Sequence, residues 1–270
     1  ELGKIADAAI IATMDQDHYA PAVKAIDLKY DLLLEKPISN IASECMGIAD
    51  RAEAAGVKVV ICTVLRYSTL FMGIKHLIKS GRIGDVMSIN HEECVGNVHQ
   101  SHSFVRGNWG NAERSSCMLL QKSCHDMDLL QWLLDKQLKK VQSFGTLSYF
   151  TEKNAPAGAP DYCIQGCPIE NTCPYNAKLL YLGEHEYSSW FRSAASRCPE
   201  PTDADLEEAI ANTQYGKCVY KCDNDVVDHQ TVNMLFEDDI TVTFTMNAFT
   251  KGGRFVHIMG TKGEIHAALD

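Results

Sequence analysis

The chain has no Gly-x-Gly-x-x-Gly turn, no long basic tract and no apolar run long enough to cross a bilayer. Each absence excludes something. Without the glycine turn, these residues lack the backbone cradle that holds a dinucleotide pyrophosphate. A nucleic-acid binder normally shows a basic patch or stripe, whereas this chain has a formal net charge of −10 at pH 7 over 270 residues. A membrane span needs about 20 consecutive apolar residues, so no membrane association is expected. No signal peptide is visible. The 11 cysteines include no Cys-x2-Cys zinc knuckle and no ferredoxin run.

What is present is an alternation of strands and helices. Hydrophobic residues make up 46% of the chain, enough for a substantial core in one large or two ordinary domains. Asp7 to Thr13 reads as a buried strand, residues 18–29 carry a helical apolar stripe, and Leu32-Leu33-Leu34 forms a second strand. Ser39-Asn40 caps a predicted helix over 41–55, closed by Gly56, and Val57 to Cys62 is a third strand. Strand, helix, strand, helix, strand is the repeat of a parallel α/β sheet. A helix over 68–80 stops at Gly81.

From Asp85 the pattern changes. Val86–Val95 and Val141–Phe150 read as strands, with a helix over 118–134 between them. Gln230–Phe236, Ile240–Phe249 and Arg254–Gly260 read as antiparallel strands, the first two joined by an acidic turn at Glu237-Asp238-Asp239. The expected fold is therefore α/β, a partial Rossmann-type parallel sheet over 1–84. An α+β domain with a large, mostly antiparallel open sheet follows over 85–270. Residues 151–227 interrupt that domain. They are rich in Pro, Gly, Cys and Asn, with one helix near 203–212 and little core expected.

Two groups of residues carry candidate chemistry. Lys36 follows the leucine strand and precedes Pro37, which holds Lys36 extended, so its side chain leaves the strand end in a fixed direction. Ligands of open parallel sheets bind at strand C-termini. The other group is Cys163-x3-Cys167-Pro-x4-Cys173-Pro, with Cys198, Cys218 and Cys222 downstream. Each Cys-Pro step favours a turn that presents a sulfur. A structural zinc on Cys163, Cys167 and Cys173, with Cys222 or Cys218 as the fourth ligand, is one expectation. Unliganded thiols, disulfides and an iron–sulfur cluster are the others. Scattered thiols elsewhere point to a reducing compartment, hence a cytoplasmic protein.

The order of features resembles the Gfo/Idh/MocA oxidoreductase family. The resemblance rests on Ala12-Thr13 after a strand, His18 opening a helix, Glu35-Lys36-Pro37 after the next strand, and a His-x-x-Asp helix at His125 and Asp128. The ending Gly260-Thr261-Lys262-Gly263-Glu264 completes the set, which spans residues 7–150 and 228–265. The family implies an NAD- or NADP-dependent dehydrogenase of sugars, polyols or related alcohols. It also implies a homodimer or homotetramer built on the open sheet. In the family the dinucleotide fingerprint precedes the part of the fold seen here, so residue 1 is expected to fall inside a longer protein.

The resemblance implies that Lys36 contacts substrate and nicotinamide and that His125 is the acid/base. Many members carry an Asp four residues before the histidine. Here that position is Gln121, which can hydrogen-bond but supplies no charge, with Lys122 beside it. On a helix over 118–134, Gln121 and Asp128 share the face of His125. Thr13, Asp15, His18 and Glu35 are expected to line the cofactor crevice. Arg66 and Tyr67 are expected to reach the same cleft, and Arg106 and Trp109 to shape its substrate end. Two other readings fit the same residues: an NAD-dependent glycosidase, and a non-catalytic metal-binding or regulatory member.

Overall fold

The computed structural model describes residues 3–269. It opens with three short parallel strands, β1 (Ala8–Ile11), β2 (Asp31–Leu34) and β3 (Val59–Ile61), hydrogen-bonded in that order. Helices α1 (Tyr19–Asp27) and α2 (Ala42–Ala55) connect them. Ala22, Ile26, Ile48 and Ala52 pack on Ile11, Leu32 and Leu34, so one face of this sheet is buried. On the other face Ile10, Leu33 and Val60 stand in register across all three strands and are exposed. Parallel sheets are usually covered on both faces.

Helix α3 (Thr69–Lys79) begins at Ser68, whose hydroxyl accepts from Phe71 N. Its Phe71 and Ile74 join the core of the second sheet. That sheet contains β4 (Val86–Cys94), β5 (Leu138–Thr146), β6 (His229–Phe236), β7 (Thr241–Asn247), β8 (Arg254–Gly260) and β9 (Glu264–Leu269), ordered β5-β6-β7-β4-β8-β9. Only the central β4–β7 pair is parallel. β9 was not expected from the sequence; its Ile265-His266-Ala267-Ala268 run alternates weakly.

Alternation along β7 buries Val242, Phe244 and Met246 and turns Thr241, Thr243 and Thr245 outward. The inner face packs on α3 and on a later helix, α6 (Cys124–Leu134), through Leu129, Leu130 and Leu133. The outer face is less apolar than an assembly surface was expected to be. Phe144, Thr231, Thr245, Glu92, Phe255 and Ala268 form one row across it, with only the two phenylalanines large and apolar.

Between β4 and β5 the chain leaves the sheet. α4 (Asn97–Gln100) runs into a wide π-helical turn, Ser101–Arg106, every residue of which is buried. The helix expected over 118–134 is broken: α5 (Met118–Gln121) ends and α6 (Cys124–Leu134) starts after Lys122-Ser123.

Residues 151–227 hold three helices rather than one: α7 (Ala177–Leu182), α8 (Ser188–Ser196) and α9 (Asp203–Asn212). α9 carries a reciprocal capping box between Thr202 and Asp205. The segment also has real cores, contrary to the sequence expectation. Ala177, Leu180, Tyr181, Phe191, Leu206 and Ile210 form one. Phe150, Tyr175, Val219 and Tyr220 form another against Val105 of the π-turn. Weak periodicity hid them because two of the three helices are short, six residues in α7 and nine in α8.

Candidate active site

The site lies where the parallel sheet meets the α5–α6 corner. Leu34 is the last residue of β2, and Lys36 follows two positions later. Glu35 Oε2 accepts from Lys36 N at 3.1 Å. The Lys36 ammonium crosses to the second domain and donates to the Gln121 carbonyl at 3.0 Å. It is half-buried, and that one bond uses one of its three donors.

His125 sits in the first turn of α6. Burial, then the positive charge of Lys36 and of Arg254, lowers its pKa to about 4. Its Nδ1 is buried with no hydrogen-bond partner. Cys124 beside it has its thiol pushed up to about 11, mainly by burial, although Lys36 pulls the other way. Lys36 and His125 are therefore electrostatic neighbours, each with hydrogen-bonding capacity that the chain does not use.

Behind them is a buried ionic cluster that sequence reasoning missed. Asp126, fully buried, accepts from His91 Nε2 at 2.8 Å and from Arg254 Nε at 2.9 Å. Arg254 Nε also lies 2.7 Å from Glu93 Oε2, and Lys122 Nζ lies 3.3 Å from Glu93 Oε1. Burial pushes Asp126 up, but the His91 bond and Arg254 outweigh it, so its pKa is lowered. Glu93 goes the other way: burial raises it despite Lys122 and Arg254. His91 and Glu93 are inward residues of β4, and Arg254 faces Glu93 across the β4–β8 pair. The only local signal was His125-Asp126 itself. In Ser-Ile-Asn-His-Glu-Glu, polar residues occupy both faces, so the pattern does not say which face is buried.

The other predicted residues are distributed as follows. Gln121 contributes its backbone carbonyl to Lys36, and the α5–α6 break removes the single helical face it was expected to share with His125. Lys122 is taken up by Glu93. Asp128 pairs bidentately with Arg66, Nε to Oδ2 at 2.7 Å and Nη2 to Oδ1. Tyr67 is largely exposed. His18 and Asp15 are buried struts rather than crevice-lining groups. His18 Nδ1 meets Pro37 O at 2.7 Å and Nε2 meets Thr13 O at 3.1 Å, clamping the loops after β1 and β2 together. Asp15 accepts from the hydroxyls of Ser115 and Ser116, both at 3.0 Å. Thr13 Oγ1 donates to Asp17 O.

Arg106 is fully buried under the Cys-rich segment and does not shape the substrate end. Trp109 stacks on Phe104 and lines a cavity of about 250 Å³ with Trp190, Arg197 and Tyr215. His99 brings the inserted segment towards the cluster: it meets Trp190 edge-on at 4.9 Å, and burial followed by the charge of Lys122 lowers its pKa to about 3. None of the 11 cysteines is in a disulfide. Cys218, not Cys222, shares a cavity with Cys163, Cys167 and Cys173.

Two family models match the chain. One describes the NAD-binding Rossmann fold of an oxidoreductase family, over residues 3–63, and the other its C-terminal α/β domain, over 75–270. Over 267 residues the chain is 25% identical to YteT of Bacillus subtilis, covering 97% of this chain and 60% of that protein. It is 26% identical to the inositol 2-dehydrogenase of Acidothermus cellulolyticus over 156 residues, 57% of this chain and 41% of that one. The fold is similar to a crystal structure of scyllo-inositol dehydrogenase from Lactobacillus casei with bound NAD(H) and scyllo-inositol. That match has a TM-score of 0.61 and 17% identity, covering 97% of this chain and 57% of that one. The chain thus spans at most about 60% of the length of these proteins.

Proposed function

The chain belongs to the Gfo/Idh/MocA oxidoreductase family, and on that premise we propose that it carries the proton-transfer half of an NAD(P)-dependent dehydrogenase acting on a polyol or sugar-like alcohol. The observation that carries the proposal is the pairing of Lys36 and His125. Both are partly buried, close enough for one charge to depress the other's pKa, and under-used in hydrogen bonding.

The residues present fit the nicotinamide end of such a cofactor. Thr13 and Lys36 follow the C-termini of β1 and β2, where open α/β sheets take their ligands. When bound, the nicotinamide supplies the hydride acceptor. Lys36 donates a charge-assisted hydrogen bond to the substrate hydroxyl oxygen and makes that hydroxyl more acidic. His125, neutral at pH 7, accepts the hydroxyl proton as the carbinol hydrogen leaves as hydride, giving a ketone and an imidazolium. A ring with a pKa near 4 is a weak base, so the acidification by Lys36 is what makes the transfer feasible. The Asp126–Arg254–Glu93 cluster fixes the start of α6, and with it the imidazole, from behind. Inositols are the first substrates to test, since two of the similar proteins are named for them. Assembly into a dimer or tetramer would use the outer sheet face around Phe144 and Phe255.

The test is NADH or NADPH formation by the protein with a panel of inositols and aldoses, for wild type, Lys36→Met and His125→Asn. Each substitution is expected to lower kcat by about 100-fold or more, with cofactor affinity and far-ultraviolet circular dichroism unchanged. Turnover untouched by both substitutions would end the proposal. Catalytic NAD with glycoside cleavage and no net reduction would favour the glycosidase. Cofactor binding with no turnover of any alcohol would favour a non-catalytic member.

A further inference from the structure

The dehydrogenase chemistry leaves the cysteine-rich segment unexplained. Cys163, Cys167, Cys173 and Cys218 line one small enclosed cavity together with Arg106. The backbone brings two of them there by a single antiparallel bridge, Tyr162 with Lys217. Cys163 N donates to Gly216 O at 2.9 Å and Cys218 N to Asp161 O at 2.8 Å. Cys163 and Cys218 each follow a bridge partner, so both lie on the face opposite Tyr162 and Lys217. The turn over Ile169–Cys173, closed by Cys173 N to Ile169 O at 2.9 Å, carries the third thiol. Gly166, at φ +80° with open space around it, permits the bend between Cys163 and Cys167.

Arg106 is the second and independent sign. It is 2% exposed. Its Nε donates to Lys217 O and its Nη2 to Tyr175 O, both at 2.7 Å, and Nη2 lies 3.5 Å from Cys163 Sγ. Nη1 is buried with no partner at all. No carboxylate is among these partners, and none lines the cavity. A buried guanidinium with no anion is strongly disfavoured. The acidic groups around it are the phenols of Tyr181 and Tyr175 and the thiols of Cys163, Cys173, Cys218 and Cys222, and free phenols ionise far above neutral pH. The anion must come from sulfur.

We propose that Cys163, Cys167, Cys173 and Cys218 bind one zinc ion as a tetrathiolate, with Arg106 as its buried counter-charge. Zinc held by four thiolates is a dianion, which balances a neighbouring cation instead of leaving it bare. Binding displaces the thiol protons to solvent and involves no redox change. The cavity is small, about 10 Å³, with room for a single ion. The sulfurs surround this space without closing on it. Among the described residues only His257, Glu264 and His266 have three ligand atoms all within 4.8 Å of one another. Zinc ligation would draw the thiols in towards a zinc–sulfur distance of about 2.3 Å. The ion then ties the inserted segment to the π-turn through Arg106.

The exposed His257–Glu264–His266 trio is the competing metal site, and the experiment separates the two. Metal content, cobalt exchange and thiol reactivity are measured on the purified protein and on a His257→Ala/His266→Ala double variant. About one zinc per chain is expected in both. Cobalt exchange should give the intense near-ultraviolet sulfur-to-cobalt charge transfer of thiolate ligation. Four thiols of the wild type should resist Ellman's reagent until a chelator is added. Cys218→Ser should weaken binding at least about 100-fold, Arg106→Met about 10- to 100-fold with recovery in Arg106→Lys, and Cys222→Ser little. Should Cys218→Ser fail to fold, the wild-type thiol protection still decides. Metal lost from the double histidine variant, iron with acid-labile sulfide, or a metal-free protein whose 11 thiols all react freely would each overturn the proposal.

Discussion

Acid should unfold this protein through three histidines, His102 buried and His99 and His125 partly buried, and the size of the effect follows from their surroundings. Burial lowers His99 and His102 to about 3 and His125 to about 4, from the ordinary 6.5 of a histidine. Positive neighbours add to each: Lys122 for His99, His99 and Arg106 for His102, and Lys36 for His125. A depressed pKa means that the unfolded chain binds the proton more readily. The stability these residues preserve is complete above pH 6.5 and is lost as pH falls through the window down to about 3. At pH 5 all three folded rings are still neutral while their unfolded counterparts are mostly charged. Each then costs about 2 kcal/mol relative to pH 7, whatever the folded pKa, provided it lies well below 5. Three such costs sum to about 6 kcal/mol, comparable with the whole stability of many domains. Glu93 opposes this, because burial raises its pKa and favours the folded state in acid, but it is one group against three. Urea midpoints and m-values at pH 7, 6 and 5 measure the effect. His102→Phe isolates one contribution. His102 stacks on Phe191 at 3.9 Å and bonds the Tyr181 hydroxyl at 3.0 Å, so the variant should lose about 1 kcal/mol at pH 7. It should also shed about 2 kcal/mol of the loss between pH 7 and pH 5. Any metal contribution cancels in that difference. An unchanged pH slope in His102→Phe, or a midpoint that rises towards pH 5, would refute the reasoning.

Three further outcomes are expected. Asp126→Asn removes the carboxylate between His91 and Arg254 and leaves Arg254 under-compensated in the interior; denaturant melts should show a loss of about 3–5 kcal/mol. Arg66→Ala breaks a bidentate but partly exposed pair with Asp128, so it should cost about 0.5–1 kcal/mol in the same assay and leave the pH profile of turnover unchanged. Gly216→Ala would set a methyl group 1.6 Å from the Ile210 carbonyl, forcing apart the α9 end and the bridge that carries Cys163 and Cys218; limited proteolysis within 151–227 should accelerate.

What the sequence disclosed, and what it hid, divides along the range of the interaction. The βαβ repeat, the Lys36 strand end and α9 are local patterns: an apolar run, a proline, a capping residue. They need no knowledge of what packs against them. The ionic cluster is the opposite case. Glu93 meets Arg254 only because β4 and β8 pair, and Asp126 meets His91 only because α6 crosses the sheet. No window of the sequence contains both members of either pair. The same holds for the interrupted helix at Lys122-Ser123, where the break orients Lys122 towards Glu93 and the Gln121 carbonyl towards Lys36. His18 and Asp15 lie in the same region. Their positions beside the strand ends suggested ligand contacts, yet each holds a loop, Pro37 for His18 and residues 115–116 for Asp15. Those contacts, with the Gln16 and Asn40 side chains on Ser115 O, dock the 111–117 loop against the parallel sheet. They hold the loop that leads into α5 and α6 against the strand ends that carry Lys36. A substitution at Ser115 or Ser116 should therefore alter the Lys36–His125 coupling without touching either residue, a dependence that neither side chain's own sequence context contains.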